Sequence, residues 1–551
     1  MCRGEQDKRE VASAGHGADH QVRAVLEAAL DRNHADHEFS RSVARTRLLP
    51  AILLVYAISF RLVTLARPFQ YDDEATGGAF YGLLARNYLR IPWGDTHGIP
   101  VLTVGRLPGV RLAFYPDHPP LVPLLIAPLY RLVGAGEWQA RLPTSIATVL
   151  SVFVLYRLIR RSASERAAVT AAALFAAMPM VLHFGGQPEV LGMPLVLCAL
   201  LTVDGYLRLC RDPGWAALAR AAAPFTVAAA SDWPAFILMP VFAVHFVATE
   251  PRRRWRWMLA FGAWAVALFA TLYVYIAVAA HLRWDWMLPL LKGRTAIGVK
   301  SPFTAAEWLR TAWYFNRHCH TAPLMAAAVA WPIAWALPAG RGQEGSAAAG
   351  LLLAWGALHV LIGRQGVYNH EWWWWPLTPG IASAAALLAE SVVAAAGSRA
   401  SSRSSIVVAV AVSLFAVWTT IREYRHLYPP PQAGVFTTLE IGAAIQAAAP
   451  GPDDLAMVAW SGEDPELWFY GDRPLRTNVW SVDEFVARLS GTDADLAFGY
   501  LQPWPARAAG LVFPVIAIGS MPDLHAYLQA RYPHVPLTPT LARQFEVFDL
   551  R

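Results

Sequence analysis

Apolar runs of membrane-crossing length recur along most of the chain, and they constrain the fold more than any single motif does. A span needs about 20 apolar residues, with a range of about 17–25. Runs of this kind fall at 48–66, 142–158, 167–184, 189–207, 215–231, 233–248, 257–280, 321–338, 347–363, 372–396 and 404–421. Backbone inside a bilayer must satisfy its own hydrogen bonds, so each run is expected as a helix. Only 16% of the residues are charged, against about 25% in soluble domains. The expected fold is an α-helical polytopic membrane protein of about 11 spans, with residues 1–46 as a polar tail and 47–421 as the membrane module.

Charge decides how the chain is threaded. Arginines gather at Arg157, Arg160, Arg161 and Arg166, at Arg208 and Arg211, at Arg252, Arg253, Arg254 and Arg256, and at Arg399 and Arg403. The positive-inside preference puts all four loops in the cytoplasm with the N-terminal tail. The run 119–134 is short and carries Pro119, Pro120, Pro123 and Pro128. Were it a span, every later loop would invert. It is therefore expected as a juxtamembrane or re-entrant helix. With no early apolar region before 48–66, that run is expected as an anchor rather than a cleaved leader.

Several function classes drop out. The net charge is +6, but the only lysines are Lys8, Lys292 and Lys300, and no basic patch interleaves with stacking aromatics, so no nucleic-acid partner is expected. Cys2, Cys198, Cys210 and Cys319 have no paired spacing. His318-Cys319-His320 is a poor metal triplet, because adjacent residues do not converge on one ion. No cofactor is demanded; outer carboxylates are of the type that binds a divalent ion, but no ligand spacing calls for one.

The unusual polar residues then collect on the outer face. They are Asp72, Asp73, Glu74, His118, Arg141, Glu189, Asp232, Lys292, Arg294, Arg364 and His370. Three consecutive acids after a span are expensive near lipid and mark a wet site at the membrane edge. A carboxylate beside an alcohol can act as general base. Arg and His at the surface can hold a phosphate, Arg bidentately. Lys292 and Arg294 stand in a long outer loop against the positive-inside preference, as a phosphate site would require. The run Trp372-Trp373-Trp374-Trp375 is expected to be an interfacial aromatic belt, with a sugar-stacking platform as the rival reading beside His370 and Glu371. Together these groups suit a donor whose leaving group is a lipid phosphate.

In order along the chain, Asp73-Glu74-Ala75, Ala85-Arg86-Asn87, His118-Pro119-Pro120-Leu121 and Gly136-Glu137-Trp138 with Ala140-Arg141-Leu142-Pro143 resemble the polyprenyl-phosphate-sugar-dependent glycosyltransferases of GT-C fold, closest to the protein O-mannosyltransferase and aminoarabinose transferase superfamily. The resemblance covers roughly 45–390. It implies Asp73 as the base that deprotonates the acceptor hydroxyl and Glu74 as its orienting or acceptor-binding partner. It implies His118 and Arg141 near the lipid phosphate or bracing the first outer loop, 67–141, and Glu189 as a second acidic position. Extra residues around Thr76-Gly77-Gly78 make Asp72 a rival base. The implied reaction moves a sugar from a polyprenyl-phosphate carrier to an acceptor protein, lipid or glycan outside the cytoplasm, with inversion. A transporter or flippase of lipid-linked saccharide is the alternative; it is disfavoured by the lack of internal symmetry.

Residues 422–551 read as a small extracytoplasmic α/β domain after Pro429-Pro430-Pro431. Strands are expected at 455–460, 496–500, 511–519 and 545–548, and helices at 482–489 and 522–531. The expected location of the whole chain is the cell (inner or plasma) membrane.

Overall fold

The computed structural model describes residues 50–69, 73–105, 112–188, 192, 194–249, 254–296, 302–336, 346–395, 398–428, 436–459, 465–489, 491, 493–495, 501–503 and 507–551. Residues Tyr56–Arg551 form one compact unit.

Among the described residues, four helices are long and apolar enough to cross a membrane by length and composition: Glu137–Arg160, Trp255–Ala279, Glu371–Ala394 and Ile406–Leu427. Shorter apolar helices cover Pro50–Thr64, Leu121–Val133, Trp233–Thr249, Ala322–Ala334 and Ser346–Ile362. The expected run 167–184 is broken in two, Glu165–Ala177 and Pro179–Phe184. Pro179 has no N–H to continue the ladder and pushes Met178 into extended backbone at ψ 135°. The run expected from 189 is helical from Leu195 to Arg211, and Trp215–Ser231 forms the next helix in spite of Pro224. Gly205 lets those two helices touch: a Cβ there would lie 2.5 Å from the Arg220 carbonyl oxygen.

The helix Trp255–Ala279 turns Leu259, Trp264, Val266, Phe269, Val274 and Val278 outward. A contiguous apolar face of this kind is costly against water and suited to lipid. The chain is a membrane protein. The tryptophan run is not a lipid-facing belt. Trp373, Trp374 and Trp375 are buried in a 3-10 segment, Glu371–Leu377, with Trp374 Nε1 donating to the Val367 carbonyl at 3.2 Å.

The C-terminal stretch folds on a mixed sheet in the order β4-β3-β2-β1-β5-β6. Its strands are β1 Ala456–Val458, β2 Leu475–Arg476, β3 Asp493–Asp495, β4 Leu501–Pro503, β5 Gly510–Pro514 and β6 Phe545–Asp549. β1 runs parallel to both β2 and β5, and β5 pairs antiparallel with β6 in the register Leu511↔Phe548. One face buries Met457, Leu511, Phe513 and Phe548 against Phe485, Leu524 and Leu528 of the helices Val482–Leu489 and Pro522–Arg531. The expected strand at 511–519 ends at Pro514 and continues as a 3-10 turn, Val515–Ser520. The expected strand 496–500 lies outside the described residues. β2 was not expected, because two residues are too few to show alternation.

Candidate active site

The acidic triplet opens a helix. Asp73 and Glu74 are the first two residues of Asp73–Arg90, where the positive end of the helix dipole favours carboxylates. Asp72 and Glu189 lie outside the described residues, and the structure describes no side-chain placement for Asp73 or Glu74. The helix itself is tightly held. Ala79, Phe80, Leu83, Leu84 and Ala85 are buried. Gly78 permits a close approach: a Cβ there would stand 2.3 Å from the Phe69 ring and 2.7 Å from Gln187 Oε1.

The chain entering this helix is fixed from two sides. Buried Arg141 donates through Nη1 to the carbonyls of Leu65, at 3.2 Å, and Arg67, and its guanidinium lies 4.5 Å from the centre of the Phe69 ring. From the C-terminal stretch, Thr438 donates to the Phe69 carbonyl, and the Phe69 N–H donates to Tyr470 Oη at 2.7 Å. Tyr470 in turn donates to Glu137 at 2.8 Å. Arg141 thus fixes the segment that leads into this helix. Further along the helix, Arg86 donates to the carbonyls of Phe469 and Trp468 at 2.9 and 3.1 Å, and both Arg86 and Arg90 pair with Asp472. Burial lowers the Arg86 guanidinium to about 10, with Asp472 acting against that shift.

A second polar group centres on Asp232. Its Oδ1 lies 2.8 Å from His118 Nδ1 and accepts the Trp233 N–H at 2.7 Å. Its Oδ2 is buried with no hydrogen-bond partner among the described residues. Trp233 Nε1 donates to the Asp117 carbonyl at 2.9 Å, and the Asp117 carboxylate stands 3.6 Å from Arg294. Arg294 lies over the Trp373 ring at 5.3 Å. His370 stacks on Trp372 at 4.4 Å, and burial together with Arg294 lowers its pKa to about 4.

Lys292, Arg294 and Arg364 meet at one helix end. Lys292 and Arg294 sit in the last turn of Met287–Thr295, with Lys292 exposed. Arg364 donates to the carbonyls of Thr295 and Ala296 at 3.0 and 3.2 Å, which caps that helix and complements its dipole.

Beside Trp372 lies a cavity of about 620 Å³. Phe184 links the two, with its ring 6.3 Å from Trp372. Aromatic rings of Phe184, Tyr314 and Phe315 line it together with His183, Glu371 and Glu423. His183 Nδ1 is 3.4 Å from Glu423, and the His183 and His426 rings are 5.0 Å apart. Cys319 donates to Glu371 at 3.8 Å, and burial with the Glu371 charge raises its pKa. Aromatic faces with carboxylate and imidazole rims suit a polyhydroxylated ligand. Among the described residues no group of three or more His, Cys, Asp or Glu is arranged to hold a metal ion.

Sequence reasoning placed Asp232 on the outer face without giving it a role, and it missed Asp117, His183 and Glu423. A lone Asp at a helix boundary carries no signal of its own. Its partner His118 lies 114 residues away, so only the fold pairs them.

Residues 117–287 match the family model described as dolichyl-phosphate-mannose-protein mannosyltransferase. The fold is similar to the crystal structure of ArnT from Cupriavidus metallidurans bound to undecaprenyl phosphate, with TM-score 0.61 and 16% identity over 90% of this chain and 97% of that one. It is also similar to the Archaeoglobus fulgidus oligosaccharyltransferase in apo form, with TM-score 0.55 and 12% identity over 89% and 73% of the two chains. A third similar structure is AglB from Archaeoglobus fulgidus in complex with an inhibitory peptide and a dolichol-phosphate, with TM-score 0.54 and 11% identity over 89% and 72%. No curated protein matches the sequence. The chain thus has the GT-C fold of these structures, and its residues 117–287 are similar to the family described as dolichyl-phosphate-mannose-protein mannosyltransferase.

Proposed function

We propose that the protein transfers a sugar from a polyprenyl-phosphate carrier to an acceptor hydroxyl on the extracytoplasmic face of the cell membrane. Asp73 acts as general base, Glu74 orients it or the acceptor, and Asp72 is the rival for the base. In-line attack inverts the anomeric carbon. The leaving phosphate departs as an anion and requires cations rather than a strong acid. Lys292 and Arg294 supply that charge, and His118 is a further phosphate-binding group.

The observation that carries this reading is the network His118–Asp232–Trp233–Asp117–Arg294, set against His370, Trp372 and the neighbouring cavity. It gathers the outer loops at 118, 232 and 294 into one polar assembly beside apolar helices. The carrier class is further supported by the neighbours: one ArnT structure is bound to undecaprenyl phosphate and one AglB structure to a dolichol-phosphate. The face follows from the arginine-rich loops, which the positive-inside preference assigns to the cytoplasm.

The test uses purified protein in lipid with a radiolabelled polyprenyl-phosphate sugar. The native protein releases or transfers the sugar. Asp73→Asn retains carrier binding and loses at least about 100-fold in kcat, the lower range of general-base catalysis. Full activity in Asp73→Asn would move the base to Asp72. Carrier crossing of the bilayer with no sugar release by either protein would replace the reading with a transporter. A chelator in the same assay tests whether the acidic residues work with a divalent ion.

A further inference from the structure

A second built cavity lies at the other end of the helices. It measures about 520 Å³ and is lined by Arg161, Arg208, Arg211 and Arg220 together with Asp212 and Gly214. Asp232 closes the far end of Trp215–Ser231. At 1.5 Å per residue this cavity is about 25 Å along the helix axis from the His118–Asp232 pair. It is therefore separate from the site described above.

Charge and shape at this cavity are specific. Asp204 pairs with Arg161 and, at 3.1 Å, with Arg208. That fixes two guanidinium groups on one wall. Arg211 and Arg220 are exposed, and Arg211 donates to its own helix at the Leu207 carbonyl, 3.3 Å away. Even counting both Asp204 and Asp212, the four arginines leave the cavity cationic. A second hollow of about 430 Å³ shares Arg208 and Arg220 with the first and adds Asp204, which pairs with Arg208, and Leu201, Gly205 and Pro224. Leu201 lies seven residues back along the same helix from Arg208, about 10 Å deeper towards the bilayer middle. A polar cationic mouth thus runs into an apolar crevice between two helices. At the mouth, Trp215 is exposed between the lining residues Gly214 and Ala216, and packs edge-on against Trp257 at 5.1 Å. Tryptophans of this kind mark headgroup depth.

We infer that this cavity binds the headgroup of an anionic phospholipid of the leaflet opposite the catalytic face, with an acyl chain along Leu201 and Pro224. Basic pockets between membrane helices are a recurring means of holding such headgroups. A soluble anion would have no use for the crevice. The inference is independent of the reaction proposed above.

The test is lipid retention and thermal stabilisation of the full chain in detergent. Phosphatidylglycerol is compared with phosphatidylcholine of the same chain length, and with inorganic phosphate. The expected result is that phosphatidylglycerol raises the unfolding temperature and is retained in native mass spectra, while phosphatidylcholine is not. In Arg211→Gln/Arg220→Gln, half-saturation for phosphatidylglycerol rises about tenfold or more, since each arginine near an anionic headgroup is worth roughly a fivefold change. Equal stabilisation by both lipids in the native protein overturns the inference without recourse to any variant. So does equal retention by native and variant protein. Equal stabilisation by inorganic phosphate overturns the lipid assignment in favour of a soluble anion.

Discussion

At the scale of single residues, the site around Asp232 is a set of polar groups whose partners come from distant parts of the chain. Asp232 is 1% exposed and shares Oδ1 between His118 and the Trp233 N–H. Removing one member of a buried pair leaves the other uncompensated. His118→Ala and Asp232→Asn are therefore expected to be strongly non-additive in a double-mutant cycle, with a coupling of about 1–3 kcal/mol, read from chemical denaturation and from carrier affinity. Additive effects would mean that the pair does not act as a unit. His320 and His370 give a pH signature. Burial lowers them to about 3 and about 4, against an ordinary value of about 6.5. Their folded-state affinity for protons is the weaker one, so the unfolded chain binds more protons in the window between. Stability is then fully present above about pH 6.5 and is lost as pH falls towards 4, by up to about 1.4 kcal/mol per pH unit for each group. His370→Gln should flatten that slope in unfolding measured from pH 7 to 5. An unchanged slope would show that His370 titrates normally.

The acidic helix Asp73–Arg90 is the element on which the proposed chemistry depends, and it is positioned by packing on all sides. Gly78→Ala puts a methyl group into the space of the buried Phe69 ring. The expected cost is about 1–3 kcal/mol from overpacking, with a matching fall in the unfolding midpoint. A neutral result would mean that Phe69 yields freely. The same helix is tied through Arg86 and Arg90 to Asp472, and through Arg86 to the carbonyls of Trp468 and Phe469. Asp472→Ala should raise amide exchange in both Asp73–Arg90 and the helix Pro465–Gly471, and lower kcat more than it changes KM. A change confined to Pro465–Gly471 would deny the C-terminal stretch any part in holding the acidic helix.

Across the whole molecule, the C-terminal stretch and the membrane helices meet at the segment 67–69, which Arg141 grips from the helix Glu137–Arg160 and Thr438 and Tyr470 grip from the other side. A chain cut after residue 428 would lose Thr438, Tyr470 and Asp472 together. Its expected behaviour is membrane insertion with loss of transfer activity of at least about 100-fold, assayed alongside the full chain. Retained activity would reduce the C-terminal stretch to a passenger.

The sequence by itself determined the helical class, because runs of about 20 apolar residues admit little else in lipid. It also determined the arginine pattern of the loops and the ordered motifs that carry the resemblance, both of which are local properties of composition and spacing. The interruption at Met178 was local too, written in Pro179, but a hydropathy reading averages over a single proline. Only the tertiary structure decided which polar groups meet. The pairings His118–Asp232, Arg141–Arg67 and Arg86–Asp472 join residues 114, 74 and 386 positions apart. It also turned the tryptophan run inward and assembled the cavities at the two ends of the helices. The physical reason is the same in each case: a polar side chain has many acceptable partners, and the packing of apolar helices selects which one comes within reach.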